Sequence, residues 1–202
     1  NWTDTEIASI PCAYSTAEGL LHRSRVGKEK VFITGASGGV GSAAIQLAKL
    51  RNATVIAQCS SEKKDKVKKI GADQIVFRDS DLIAELGKNS VDVVIDLVAG
   101  LNWKQLLDIL KPGGRYATSG AIAGPIVELD VRTLYLKDLT LYGCTHQPKE
   151  VFTNLIGYIE RNEIRPLVAK TYPLQDIKKA QEDFLSKKYT GKLVLIPPND
   201  NI

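Results

Sequence analysis

Residues 31–41 read Val-Phe-Ile-Thr-Gly-Ala-Ser-Gly-Gly-Val-Gly, and helix-forming residues follow over 42–50. The order is an apolar strand, a glycine turn and the start of a helix, and few folds accept it. Glycines let the chain reverse tightly and keep Cβ atoms away, so bare backbone N–H groups can approach whatever sits at the turn. The helix N-terminus adds partial positive charge, and the sum suits a pyrophosphate. Against the dinucleotide pattern G-x-G-x-x-G, Gly38 and Gly41 match and Ala36 replaces the first glycine. The strand before, the helix behind and a second strand over 54–58 supply the βαβ context that the pattern needs. The competing reading is a tight turn whose glycines serve only close helix–sheet packing.

The same rhythm continues down the chain. Strands are predicted over 74–77, 91–97, 115–119 and 139–142. A lysine-rich helix ends at Ile70, a short helix spans 79–86 with Asp79 or Ser80 as its cap, and another spans 101–110 until Pro112-Gly-Gly114 stops it. The near-continuous apolar run over 91–97 suits a strand covered on both faces. Repeated βα order predicts an α/β fold, a doubly wound parallel six-stranded Rossmann sheet with helices on both faces. The ends break the rhythm. Residues 5–23 form a helical lead-in turning at Pro11, and 150–161 a helix. From 166 the order is strand over 170–172, helix over 174–186, strand over 192–196 and a polar tail. Three parts are expected: the lead-in (1–28), the Rossmann domain (29–165) and a closing strand–helix–strand (166–202).

Composition removes several function classes. With 202 residues, 44% hydrophobic and 25% charged, the chain can bury a real core. Its net charge of +4 comes largely from Lys63, Lys64, Lys66, Lys68 and Lys69, interleaved with Glu62 and Asp65. That run reads as a solvated helix face; a nucleic-acid interface would need a larger basic surface with aromatics. No apolar run reaches membrane-span length, and no signal peptide is legible, so no membrane partner is expected. The 3 cysteines lie far apart with no C-x-x-C. No disulfide is expected, and a cytoplasmic location follows from that. A chain that begins at Asn1 and holds 0 Met is expected to be processed or excised from a longer one.

Four stretches carry a resemblance: Thr34-Gly-Ala-Ser-Gly-Gly-Val-Gly-Ser42, Gly71-Ala-Asp73, Leu110-Lys-Pro-Gly-Gly-Arg115 and Thr190-Gly-Lys-Leu-Val-Leu195. In this order they resemble the medium-chain dehydrogenase/reductase family, the zinc-type alcohol dehydrogenases and quinone reductases. Members carry an N-terminal barrel-like catalytic domain, so the resemblance implies a cofactor-domain fragment whose last ~35 residues pack on that domain in the longer protein. Two other families share parts of this pattern. The glycine turn also fits short-chain dehydrogenases, which need Tyr-x-x-x-Lys for proton transfer; none of the 7 tyrosines has a lysine four residues on. Asp96 and Leu110-Lys-Pro-Gly-Gly114 are familiar from methyltransferases, which usually place an acidic residue where Gln58 and Cys59 stand.

The end of the second strand bears on the cofactor. An NAD site usually has a carboxylate there, and an NADP site small polar residues with a cation. This chain reads Gln58-Cys-Ser-Ser-Glu-Lys-Lys64. Ser60, Ser61 and Lys63 favour NADP(H); NAD remains possible through Glu62. Alternatively Ser60 caps the lysine-rich helix. The turn residues Ser37, Gly38, Gly39 and Val40 are expected on the pyrophosphate. By resemblance, Leu97 lies near the adenosine, with Thr16, Gly120, Ala121 and Tyr142 towards the nicotinamide. Core packing is the other reading of Leu97 and Tyr142.

Cys12, four residues before Thr16, resembles the last ligand of the catalytic zinc in zinc-type alcohol dehydrogenases; zinc-free quinone reductases commonly lack it. A lone cysteine is otherwise a small buried apolar residue. The remaining ligands would lie outside this chain, so zinc is expected only in the longer protein. His22 and His146 lack ligand spacing to Cys12. The resemblance thus implies the NADP(H)-binding domain of a zinc-type alcohol dehydrogenase-like oxidoreductase, passing hydride between nicotinamide and an alcohol/carbonyl small molecule, the fragment alone being inactive. The alternatives are a zinc-free quinone or enoyl reductase, or a non-catalytic nucleotide-binding module. A homodimer through residues 132–145 is expected, because the last strand leaves an open edge.

Overall fold

A computed structural model describes residues 2–198. Two helices, α1 (Asp4–Ala8) and α2 (Pro11–Arg23), open the chain. Strand β1 (Lys30–Ile33) runs into α3 (Gly39–Leu50), followed by β2 (Thr54–Cys59), α4 (Lys64–Ile70) and β3 (Gln74–Phe77). The second half carries α5 (Leu82–Leu86), β4 (Val91–Asp96), α6 (Trp103–Ile109), β5 (Leu110–Thr118), α7 (Val131–Leu136) and β6 (Thr140–Gly143). It closes with α8 (Lys149–Glu160), β7 (Val168–Pro173), α9 (Ile177–Leu185) and β8 (Lys192–Ile196).

The first six strands form one sheet in the order β3-β2-β1-β4-β5-β6, all parallel. This is the doubly wound Rossmann order, with its switch point between β1 and β4. The side-chain period of two sorts each strand between two cores. Val31, Ile33, Val55, Ala57, Val93 and Ile95 face α2, α3 and α8. Phe32, Ile56, Val76, Val94 and Tyr116 face α5 and α6. Fully burying one such apolar side chain contributes roughly 1.5–3 kcal/mol. Coverage on both faces explains why β4 is apolar almost throughout.

Several boundaries differ from those predicted. The lead-in is two helices: Thr3 and Glu6 form a reciprocal cap on α1, and Pro11 starts α2, where its missing N–H costs nothing. Far from being peripheral, α2 buries Ala13, Tyr14, Ala17, Leu20 and Leu21 in the sheet's core. Helix α3 begins at Gly39, inside the glycines rather than after them. Asp81, not Asp79 or Ser80, caps α5, accepting from the amides of Ile83 and Ala84. Pro112 does follow the end of α6, yet strand pairing already resumes at Leu110 and shifts register before Arg115. Helix α7 has no counterpart among the predicted elements; Asp130 caps it, accepting from the Arg132 amide.

Strands β7 and β8 form a separate parallel pair joined by α9. The pair is tied to the glycine turn by the Gly191 amide, which donates to the Ser37 carbonyl at 3.0 Å.

Candidate functional site: the carboxyl edge of the sheet

The turn between β1 and α3 is built by close approaches. Gly35 takes φ +57. A methyl on Gly41 would lie 2.3 Å from the Gly35 carbonyl oxygen, so the helix can sit against the turn only with glycine there. A methyl on Gly39 would meet the Lys192 side chain, 2.6 Å from its Cδ. Gly38 precedes the helix in an extended conformation, and no side chain caps α3. The first N–H groups of this twelve-residue helix are therefore claimed by no side-chain cap. Gly38 is exposed, Gly39 and Val40 are half-buried, and Ser37 is buried under the Gly191 contact.

Beside the turn, at the end of β2, Ser60 is half-buried and Ser61 exposed. Ser60 makes no capping bond, which removes the simple capping role. Lys63 is not where a phosphate-binding cation was expected. It is buried, and its ammonium donates to the carbonyls of Lys187 and Tyr189. Burial and the neighbouring Arg78 hold that ammonium below its ordinary pKa. Arg78 follows β3 directly, its amide donating to the Cys59 carbonyl at 3.1 Å, and its side chain is exposed. Among the described residues its guanidinium has no acidic partner, so a free cation does flank the two serines, from the third strand. Gln58 points a buried side-chain nitrogen with no hydrogen-bond partner, as Thr190 does a hydroxyl. Unpaired buried polar groups of this kind are rare, and a ligand with acceptors and donors would satisfy them.

Along the same edge, Leu97 is half-buried next to Gly35: a methyl added to that glycine would lie 3.5 Å from the Leu97 Cβ. A cavity of 260 Å³ beyond it is lined by Ala99, Thr118, Gly120, Ala121, Tyr142 and Gly143. Three predicted residues thus share one hollow. Tyr142 also packs on the core, and its hydroxyl accepts from Arg25 at 3.3 Å. Thr16 is half-buried, its hydroxyl donating to the Cys12 carbonyl at 2.7 Å.

Cys12 is exposed on the first turn of α2, so it is not a buried packing residue within this chain. Among the described residues no group of three or more His, Cys, Asp and Glu side chains is placed to hold a metal ion. A catalytic zinc takes three protein ligands, and the described residues do not make such a site. A cavity of 1150 Å³ lies between α3, α4 and the segment entering β7, with Gln46, Lys49, Lys66, Lys69, Arg165 and Thr190 on its walls. No helix among the described residues is long and apolar enough to cross a membrane.

Sequence reasoning missed Lys192 and Arg78. Lys192 was legible only as part of Gly191-Lys-Leu, and nothing local says that β8 returns to the glycine turn. Arg78 carried a signal, a cation just past the predicted third strand.

Comparison with known proteins agrees with this architecture. A family profile described as zinc-binding dehydrogenase matches residues 39–161. An acryloyl-coenzyme A reductase of Metallosphaera sedula is 31% identical over 196 residues, covering 96% of this chain and 58% of that protein. The quinone oxidoreductase of Lama guanicoe is 31% identical, covering 94% of this chain and 61% of its own length. The chain thus spans about three-fifths of the length of these two relatives. The crystal structure of a candidate alcohol dehydrogenase from Sinorhizobium meliloti 1021 superposes with a TM-score of 0.93 at 47% identity, covering 98% of this chain and 56% of that one. A thermostable alcohol dehydrogenase from Pyrobaculum aerophilum, solved with cobalt and zinc, gives 0.85 at 32% identity, covering 96% and 59%. The chain belongs to the zinc-binding dehydrogenase family, among the medium-chain dehydrogenases and reductases, and forms its Rossmann nucleotide-binding part.

Proposed function

We propose that this chain seats NADP(H) for an oxidoreductase that passes hydride between the nicotinamide and an alcohol/carbonyl pair. The carrying observation is the uncapped start of α3 with Lys192 against Gly39. The pyrophosphate sits on the α3 amides, and the Lys192 ammonium neutralises it from β8. Ser60, Ser61 and Arg78 receive the 2′-phosphate, an anion that a carboxylate at Gln58 would repel. Gln58 and Thr190 supply the donors and acceptors that otherwise lack partners. The nicotinamide half extends towards the hollow at Gly120, Ala121 and Tyr142. When bound, the cofactor supplies the hydride; this chain's residues bind it, orient it and keep water from its buried face.

In the longer protein, Cys12 is the residue of this chain that contributes to a zinc site, the other ligands coming from outside residues 1–202. The 47% identity to the Sinorhizobium protein favours the alcohol/carbonyl reading. A second reading, reduction of a conjugated enoyl thioester or a quinone without zinc, draws on the acryloyl-coenzyme A reductase and quinone oxidoreductase relatives. Titration of NADPH and NADH into the chain by calorimetry tests the cofactor. NADPH binds more tightly, and Arg78→Ala removes most of that preference while Lys63→Ala does not. Equal affinities for the two nucleotides at low salt would defeat the choice of NADP(H). In the longer protein, Cys12→Ser abolishes metal content and activity with NADPH binding retained; full metal content and turnover in that variant would put the zinc-free reading first.

A further inference from the structure

The nucleotide reading leaves one buried carboxylate unexplained. Asp96 ends β4, is fully buried and has no cationic partner among the described residues. Four donors converge on it instead. Oδ1 accepts from the Thr34 hydroxyl at 2.6 Å and from the amides of Val98 and Ala99 at 2.9 and 3.1 Å. Oδ2 accepts from the Tyr116 hydroxyl at 2.5 Å. The Thr34 oxygen in turn accepts from the Leu97 amide at 2.8 Å. Tyr116 is held edge-on against Trp103, ring centres 4.7 Å apart. Burial, then the charge and hydrogen bond of Asp96, push the Tyr116 pKa far up, so this hydroxyl remains a donor.

These bonds hold the segment after β4 in a shape it would not choose. Ala99 sits at φ 56 and ψ −152, a region that residues with a Cβ rarely adopt and that persists only when the surroundings impose it. The segment forms the wall between the two halves of the candidate nucleotide cleft. A methyl on Gly35 would lie 3.2 Å from Val98 Cγ2, and a methyl on Gly120 would lie 2.8 Å from the Leu97 carbonyl oxygen. A shift of this wall therefore disturbs the glycine turn on one side and the nicotinamide hollow on the other.

We propose that Thr34, Asp96 and Tyr116 are positioning residues that lock residues 97–100 in a strained, nucleotide-ready conformation, and so set part of the cofactor affinity without touching the cofactor. The proposal rests on the nucleotide reading above. Without the lock, Ala99 relaxes to an ordinary φ, and only the fraction of molecules with the wall in place binds; the observed affinity falls by that fraction. Buried hydrogen bonds to a carboxylate are strong enough to hold one strained residue.

Calorimetric titration with NADPH of the unaltered chain, Thr34→Val, Tyr116→Phe and the double variant Thr34→Val/Ala99→Gly tests this. Valine keeps the shape of threonine and loses both hydroxyl bonds; phenylalanine keeps the packing on Trp103 and loses one. Each single variant weakens NADPH binding about tenfold. Glycine adopts the Ala99 conformation without strain, so the double variant regains most of the affinity. Unchanged NADPH affinity in both single variants, with only a lower melting temperature, overturns the lock while leaving the nucleotide reading intact. If affinity falls but Ala99→Gly restores none of it, strain at Ala99 is not what the network holds and the lock is overturned as stated. Failure of the unaltered chain to bind NADPH or NADH overturns the nucleotide reading, and the lock with it. If Thr34→Val does not fold, Tyr116→Phe with Ala99→Gly carries the same comparison.

Discussion

Two cations of similar type play opposite parts at the carboxyl edge. Lys63 is buried and bound to the carbonyls of Lys187 and Tyr189, where it anchors the C-terminal segment. Lys192 is half-buried beside Gly39, and its ammonium has no acidic partner among the described residues. Lys192→Ala should therefore weaken NADPH binding by about tenfold at low salt, an effect that shrinks as salt screens the pyrophosphate. Calorimetry at two ionic strengths checks it; an unchanged affinity would remove Lys192 from the site. A second residue-scale expectation concerns acid. The Arg165 guanidinium bonded to Glu6 holds its carboxyl at about 2, below the ordinary 4.5, helped by the Thr3 amide. The folded state then binds its proton less readily than the unfolded one. The stabilisation is complete above about pH 4.5 and is lost as pH falls towards 2. The difference in melting temperature between the unaltered chain and Glu6→Gln should shrink steadily across that window.

At the scale of elements, the β1–α3 junction separates two uses of glycine. Gly41 is demanded by the fold, because a methyl there meets backbone, 2.3 Å from the Gly35 oxygen and 2.6 Å from the Ala36 Cα. Neither atom can move without pulling the helix off the sheet. Gly41→Ala should cost on the order of 1–3 kcal/mol, the usual range for overpacking. Gly39→Ala clashes with the flexible Lys192 side chain and otherwise makes an ordinary contact with Ala13, so the fold should keep most of its melting temperature. Displacing Lys192 should nonetheless weaken NADPH binding. Thermal melts of the two variants, read beside NADPH titrations, check the contrast; equal destabilisation by both would contradict it. Gly41 thus serves close helix packing, while Gly39 leaves room for the Lys192 side chain.

For the whole molecule, the sheet order leaves β6 at one edge, paired only to β5 among the described residues. Val131, Tyr135 and Leu136 stand exposed on the adjoining α7. An open strand edge next to apolar side chains suits pairing across a two-fold axis, which continues the sheet through two copies. A symmetric dimer through residues 132–145 is therefore expected, with Leu141→Pro shifting the mass towards monomer in light scattering, since proline removes an edge donor. A monomeric mass for the unaltered chain at high concentration would count against it.

Much of this architecture was legible locally. Apolar runs of strand length, helix-period stretches and glycine punctuation place β1 to β4, β6, the end of β5, and α3, α4, α6 and α8 within a few residues, because a doubly wound sheet demands that alternation and little else. The glycine turn was legible for the same reason: its residues are consecutive in the chain. What tertiary structure alone decided are the meetings of distant segments. The return of β8 to the glycine turn put Lys192 there and took Lys63 away. The pairing of β4 with β1 and β5 brought Thr34 and Tyr116 onto Asp96. No period or spacing encodes such contacts, since hydrogen bonds and ion pairs follow distance in space, and the fold brings together residues 62 or 153 positions apart.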